Sequence, residues 1–259
     1  MEGISAHLVV RNEPFIYYAV MAVYPYVERI LLWDTGSYDR YTLKDIQDVL
    51  KADVDKKIDY RQIEIQTDET DWNINAWRKA RAANAGKIGV GHVRQWQIDE
   101  THTRFFLIVD GDEVHYSSAM QAIRKHIAIW HIDPNFTCAG VPLRWFDTPK
   151  SWFQFSRSGR VFRTSTVEMM KASPGEMHCL KGTNKPLEIG THGRVNIEIE
   201  PYAHFEKMLK PWRRTVDPKT RQRWGGDWPD IIQANPYYFE RFMRECFGKT
   251  KAQMEAKPK

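Results

Sequence analysis

Cysteine is scarce in this chain, and the three present, Cys138, Cys179 and Cys246, are odd in number, widely spaced and contain no C-x-x-C. That excludes a disulfide framework and a cysteine-built zinc site, and leaves them as packing residues. No apolar run approaches the roughly 18 residues that a membrane-spanning helix needs. Met1-Glu2-Gly3-Ile4-Ser5-Ala6-His7 has neither a basic stretch nor the apolar core of a secretory leader, so the expectation is a soluble, cytoplasmic protein. A phosphate-binding G-x-x-x-x-G-K-[ST] loop is also missing, which removes support for a P-loop kinase. There are no internal repeats, and only the last dozen residues have the composition of a disordered tail.

What is present describes an ordinary globular chain of 259 residues, 42% hydrophobic and 27% charged, enough to bury a substantial core. Ten tryptophans are more than a core of this size demands. Most, including Trp72, Trp77 and Trp96, read as core, and some as stacking surface. The net charge of +5 is uneven. From His204 to Trp224 seven Lys and Arg face two carboxylates, and from Gly248 to Lys259 four Lys face one, so the rest of the chain is slightly acidic. Trp212, Trp224 and Trp228 interleave with these cations. A solvated helix face has that composition, and so does a track for phosphates.

Along the chain, strand-like and helix-like segments alternate. His7–Val10, Arg29–Trp33 and Ile58–Ile65 read as strands. Pro14 is expected to open a helix, Leu43–Leu50 and Gly91–Ile98 to be helical, and Trp72–Asn84 to be a loop and helix. Phe105–Val109 is apolar, rich in aromatic and β-branched residues, and too short for a buried helix: a central strand covered on both faces. Met120–Trp130 reads as a helix, and Phe136–Phe146, Arg160–Arg163 and Val195–Glu200 as strands among polar loops. Asn235 and Pro236 are expected to start a last helix through Cys246. This order predicts an α/β fold with a mostly parallel, Rossmann-like sheet flanked by helices.

The chemistry is concentrated at strand ends, where open α/β sheets bind ligands. The first strand closes in Arg11-Asn12-Glu13, the second in Asp34-Thr-Gly-Ser-Tyr-Asp39, and the Phe105 strand in Asp110-Gly111-Asp112-Glu113. Asp-Gly-Asp is ordinary turn chemistry in most sequences. Here a buried strand precedes it, and hard oxygen ligands so placed suit Mg²⁺ or Mn²⁺ completed by substrate phosphates. Gly89-Val-Gly-His-Val-Arg94-Gln95 adds a glycine-rich helix start with a guanidinium one turn in, a sensible phosphate partner.

These motifs, in this order, resemble the GT-A nucleotide-sugar glycosyltransferases, specifically glycosyltransferase family two. The likeness rests on the Asn-Glu strand end, the segment Val27–Asp39, the Gly89–Gln95 helix and the D-x-D strand end, and covers about residues 4–116 well. It implies a GT-A domain over 1–212, with a nucleotide-sugar half to about 116 and an acceptor half over 117–212, followed by a basic helical extension and tail over 213–259. It further implies an enzyme, a hexosyl- or pentosyltransferase, that takes a nucleotide-diphosphate sugar, foremost a UDP-sugar, with Mn²⁺ or Mg²⁺ as cofactor. Arg11, Glu13, Asp34 and Asp39 would line the base and ribose pocket, with Arg94 near the donor. Asp110 and Asp112 would serve metal and diphosphate, Asp112 the more direct ligand, joined by the late His204. Inversion of the anomeric centre calls for a carboxylate base, for which Asp147 and Glu176 are the leading candidates and Glu168 a weaker one. Met177-His178-Cys179 stands where relatives often carry His-Glu.

Arg160 and Arg163, and Arg213 and Arg214 in the basic stretch, are the candidate acceptor contacts. The acceptor is expected to be a saccharide or lipid-linked precursor, with a hydroxymethylated DNA base of the phage type close behind. Two rivals come from other classes. In a haloacid dehalogenase-like phosphatase Asp110 would be a nucleophile, but that motif belongs on a first strand and about 100 residues precede it here. A non-catalytic nucleic-acid binder on a transferase fold would keep the basic track and lack donor turnover.

Overall fold

In a computed structural model the chain is described over residues 3–66, 87–169, 178–183, 187, 193–205, 222–245 and 247. The expected Trp72–Asn84 helix and the basic stretch through Arg221 lie outside these. The first half alternates β1 (Ile4–Val10), α1 (Ile16–Val23), β2 (Arg29–Asp34), α2 (Arg40–Ala52), β3 (Ile58–Gln62), α3 (Val90–Asp99) and β4 (Phe105–Ile108). Then come β5 (Glu113–Val114), α4 (Ser117–Ile132), β6 (Cys138–Thr148), β7 (Ser151–Arg163), β8 (Val167–Met169), β9 (His178–Leu180), β10 (Arg194–Asn196), β11 (Tyr202–His204), β12 (Gln222–Arg223), α5 (Asp230–Ala234) and α6 (Tyr237–Glu245).

One large sheet runs β3-β2-β1-β4-β7-β6-β11-β5, with β10 on β6 and β12 on β7; β8 and β9 form a separate pair. The first four strands are parallel, as their βα alternation requires, and β10 and β11 also run parallel to β6. The α/β class and the helix-flanked, curled sheet agree with expectation. Strand β7 enters antiparallel between β4 and β6 and joins the two halves into one surface.

Period-2 alternation explains the packing. In β1, Ile4, Ala6, Leu8 and Val10 join the main core with α1, α2 and α4, while Ser5 and His7 face the other side. There Ser5 Oγ meets Thr103 Oγ1 at 2.7 Å, His7 Nε2 meets Thr101 Oγ1 at 2.6 Å, and the His7 ring stacks on Phe106. All four β4 side chains are buried, each stabilising by about 1.5–3 kcal/mol relative to exposure. Helix α2 starts where Asp39 Oδ1 accepts the backbone N–H groups of Tyr41 and Thr42.

Several boundaries moved. Pro14 precedes the first helix by two residues, with Phe15 as its N-cap. Helix α6 begins only after α5, a short helix absent from the sequence reading, and the Val195 strand is three residues long. The last helices pack into the same molecule: Tyr18 Oη donates to the Asn235 carbonyl at 2.6 Å, and Arg241 pairs with Asp45 at 2.7 Å. Phe15, Phe205 and Phe242 meet edge to face beneath them.

Candidate active site at the strand ends

The β1 and β2 loops are stitched together by Asn12, whose φ of 56° is one that asparagine tolerates. Its backbone N–H donates to Ser37 Oγ at 3.0 Å, and its Oδ1 accepts from the N–H groups of Tyr38 and Asp39 at 2.9 and 3.1 Å. Asp34, fully buried, accepts from the Ser37 N–H at 2.8 Å. Arg11 and Glu13 are half-buried beside this loop. Asp39 is also the α2 cap, so one of its oxygens is committed to the helix. The β1 loop presses on the acidic turn: a Cβ added at Gly111 would stand 2.6 Å from Glu13 Cβ and Cγ, so only glycine fits.

Within that turn the carboxylates have separate environments. Asp110 is held on both oxygens, Oδ1 by Arg94 Nη2 at 3.1 Å and Oδ2 by Arg160 Nη2 at 3.0 Å. Arg94, 1% exposed, also donates to the His7 carbonyl at 3.0 Å and so braces β1. Enclosure by protein would raise the Asp110 carboxyl, but Arg160 and then Arg94 outweigh it and hold the group below the ordinary carboxylate range. Such a clamped carboxylate is poorly placed as a nucleophile, which counts against the phosphatase alternative. Glu113 is fully buried, and burial pushes its carboxyl up to about 8 even with Arg160 against it.

Asp112 faces His204. Its Oδ1 lies 3.2 Å from His204 Nε2, with side-chain exposures of 7% and 8%. Strand β11 sets this approach: His204 stands in register with Glu113, and the Phe205 N–H donates to the Asp112 carbonyl at 2.8 Å. The edge of Trp145 backs the imidazole, ring centroids 3.9 Å apart. Among the described residues no three or more His, Cys, Asp and Glu side chains form a metal cluster. A buried carboxylate oxygen beside an imidazole nitrogen nonetheless fits a divalent ion that draws its remaining ligands from water and substrate oxygens. Asp110, both oxygens engaged by guanidinium groups, does not fit as a direct ligand in this arrangement.

The acceptor-side candidates fare differently. Asp147, 8% exposed at the end of β6, accepts from Ser151 Oγ at 2.8 Å. Arg160 is buried against the acidic turn instead of facing outward. Arg163 lies at the other end of the sheet, paired with Phe105, where the carbonyls of Phe136, Trp130 and Asp133 use its guanidinium as a clasp on the end of α4. Glu168 accepts from the Gly182 N–H, and the His178 ring stacks on Phe162. Glu176, Arg213 and Arg214 fall outside the described residues. Sequence reading missed Tyr202, which shares the face of His204 two residues away, and placed Glu113 in the acidic strand end without giving it a separate role.

Clefts of about 390 and 310 Å³ open elsewhere, at the amino ends of the strands, around Thr101, Thr103 and Arg104 and around Arg29, Lys57 and His102. The hydroxyls of Thr101 and Thr103 are spent inside the protein, on the Gln97 and Phe105 carbonyls. The strand-end chemistry, not cleft volume, marks the site.

No protein-family model and no curated protein matches the chain. Two solved structures of S. aureus TarS are similar to it. The structure of TarS 1-349 has a TM-score of 0.46 at 13% identity, covering 79% of this chain and 61% of that one. A second TarS structure scores 0.45 at 11% identity, covering 97% and 41%. The chain thus spans less than two thirds of either.

Proposed function

We propose that this chain is a glycosyltransferase that moves a sugar from a nucleotide-diphosphate donor, foremost a UDP-sugar, to a hydroxyl acceptor, with inversion and with Mn²⁺ or Mg²⁺. The observation that carries the reading is the convergence of Asp112 and His204, 3.2 Å apart, beside the stitched β1 and β2 loops. In this reading Arg11, Glu13 and Asp34 line the nucleoside pocket, and Asn12 holds its two loops together. Asp112 and His204 would hold the divalent ion, which when bound neutralises the diphosphate leaving group. Arg94 and Arg160 keep Asp110 ionised and fixed, so the turn presents Asp112 without paying for reorganisation.

Asp147 is the base. Its carboxylate takes the proton of the acceptor hydroxyl as that oxygen attacks the anomeric carbon from the face opposite the departing diphosphate. Ser151 orients the carboxylate by donating to Oδ1. The acceptor is a saccharide or lipid-linked precursor, met in part by the basic stretch that includes Arg213 and Arg214. Asp112→Asn tests the assignment: it is expected to remove Mn²⁺-dependent transfer or donor hydrolysis and to weaken Mn²⁺ binding by about tenfold or more. Turnover equal to the unmodified protein would contradict it. Asp147→Asn is expected to abolish transfer while donor binding persists, and full transfer would exclude it as the base.

A further inference from the structure

We infer that Arg160, Glu113 and Tyr202 form a positioning bridge that sets the acidic turn against His204. The inference rests on the donor-site reading above and extends the role of Arg160 there to Glu113, Tyr202 and, through β11, His204. Arg160 reaches from β7 with three contacts: Nε donates to Tyr202 Oη at 2.9 Å, and Nη2 donates to Asp110 Oδ2 at 3.0 Å and to Glu113 Oε1. Tyr202 Oη donates in turn to Glu113 Oε1 at 3.1 Å, while Glu113 Oε2 accepts from the Asp110 N–H at 3.1 Å. The network closes on itself across the turn after β4, strand β7 and strand β11. Its members are at most 9% exposed except Asp110, the one that opens toward solvent.

The bridge is placed to act on geometry. Tyr202 and His204 are two residues apart on one strand, so fixing the phenol fixes the height of the imidazole that meets Asp112. The Tyr202 ring is itself held flat on His115, centroids 4.7 Å apart. A buried ion pair is weak grounds for stability, since apolar replacements often fold as well or better. A fully satisfied polar network rigidifies its surroundings, and partners of ligating groups commonly change metal affinity when removed. Arginine is required because one planar fork must serve two carboxylates and a phenol, which a lysine point charge cannot do.

The test uses the full chain and measures three things: the thermal midpoint, Mn²⁺ affinity by electron paramagnetic resonance, and calorimetric binding of UDP, GDP, CDP and TDP, each with Mn²⁺. Tyr202→Phe and Arg160→Lys are expected to keep the midpoint and to weaken binding of Mn²⁺ with the preferred nucleotide about tenfold. In turnover, donor KM is expected to rise while acceptor KM stays. Should Arg160→Lys fail to fold, Tyr202→Phe and the paired Arg160→Met with Glu113→Gln decide. Variants that fold and bind as the unmodified protein does would overturn the bridge alone. An unmodified protein that binds none of the four nucleotides with Mn²⁺ would overturn the donor site and the bridge with it.

Discussion

Arg160 and Arg241 are both buried, both paired with a carboxylate and both link segments far apart in the chain, yet their surroundings differ. Arg160 spends its donors on Tyr202, Asp110 and Glu113 at the edge of the site. Arg241 bonds Asp45 from α6 to α2, with Nε and Asp45 Oδ2 lacking hydrogen-bond partners among the described residues. Its charge is met instead by the faces of Tyr41, Tyr237 and Tyr238, at 5.3, 5.7 and 5.1 Å. The first meets two carboxylates and a phenol, while the second bonds one carboxylate and is wrapped in aromatic rings. A buried guanidinium in this protein therefore does one of two jobs: it cross-links polar groups at the strand ends, or it pins helices where aromatic packing supplies the rest.

Removing each guanidinium should separate the jobs. Arg160→Ala is expected to have the largest effect, since it strands Glu113 and frees Asp110: both folding stability and Mn²⁺-nucleotide binding fall, checked by urea unfolding and calorimetry on the same samples. Arg241→Ala is expected to lower stability, most above about pH 7 where Asp45 would be left ionised without its cation, with nucleotide affinity per folded molecule unchanged. A loss of affinity there would erase the distinction.

The pH dependence gives a finer comparison. Burial is the largest cause of a raised carboxyl in both, to about 7 for Asp45 and about 8 for Glu113. Their contributions to stability are therefore complete below about pH 4 and are lost as pH rises through the two folded-state values. The buried His7, His115 and His178, held below the ordinary imidazole range by burial, add the opposite slope below about pH 7. The test is therefore each variant against the unmodified protein: Asp45→Asn should remove a loss of midpoint that ends near pH 7, and Glu113→Gln one that extends to about pH 8. Variants whose midpoints follow the pH dependence of the unmodified protein would refute both assignments. The smallest effect is expected from Arg213→Ala with Arg214→Ala: acceptor KM rises about threefold with donor KM unchanged. If the acceptor is DNA, the same pair should instead flatten the salt dependence of DNA binding.

The same contrast explains what could be read from the sequence. The strand-end cluster was legible because its information is local: Phe105–Ile108 is apolar on both faces, and Asp34, Asp110 and Asp112 stand within a few residues of the strands that carry them. Strand β7 was mostly illegible, because Gln154, Ser156, Ser158 and Gly159 have loop composition and the strand exists through pairing on both sides with β4 and β6. Arg160 and Arg163, three residues apart, looked equivalent. Their separation to a carboxylate network and a helix clasp follows from which neighbour each meets across the sheet, and no local pattern encodes that. Tyr202 was passed over because its partner Glu113 is 89 residues away.

Crystals of the protein soaked with Mn²⁺ and the UDP-sugar or other nucleotide sugar that it binds would locate donor and ion together. The ion is expected between Asp112 and His204, the diphosphate beside it, and Asp110 still held by Arg94 and Arg160. A donor bound away from these strand ends, or an ion held without Asp112 and His204, would contradict this assignment.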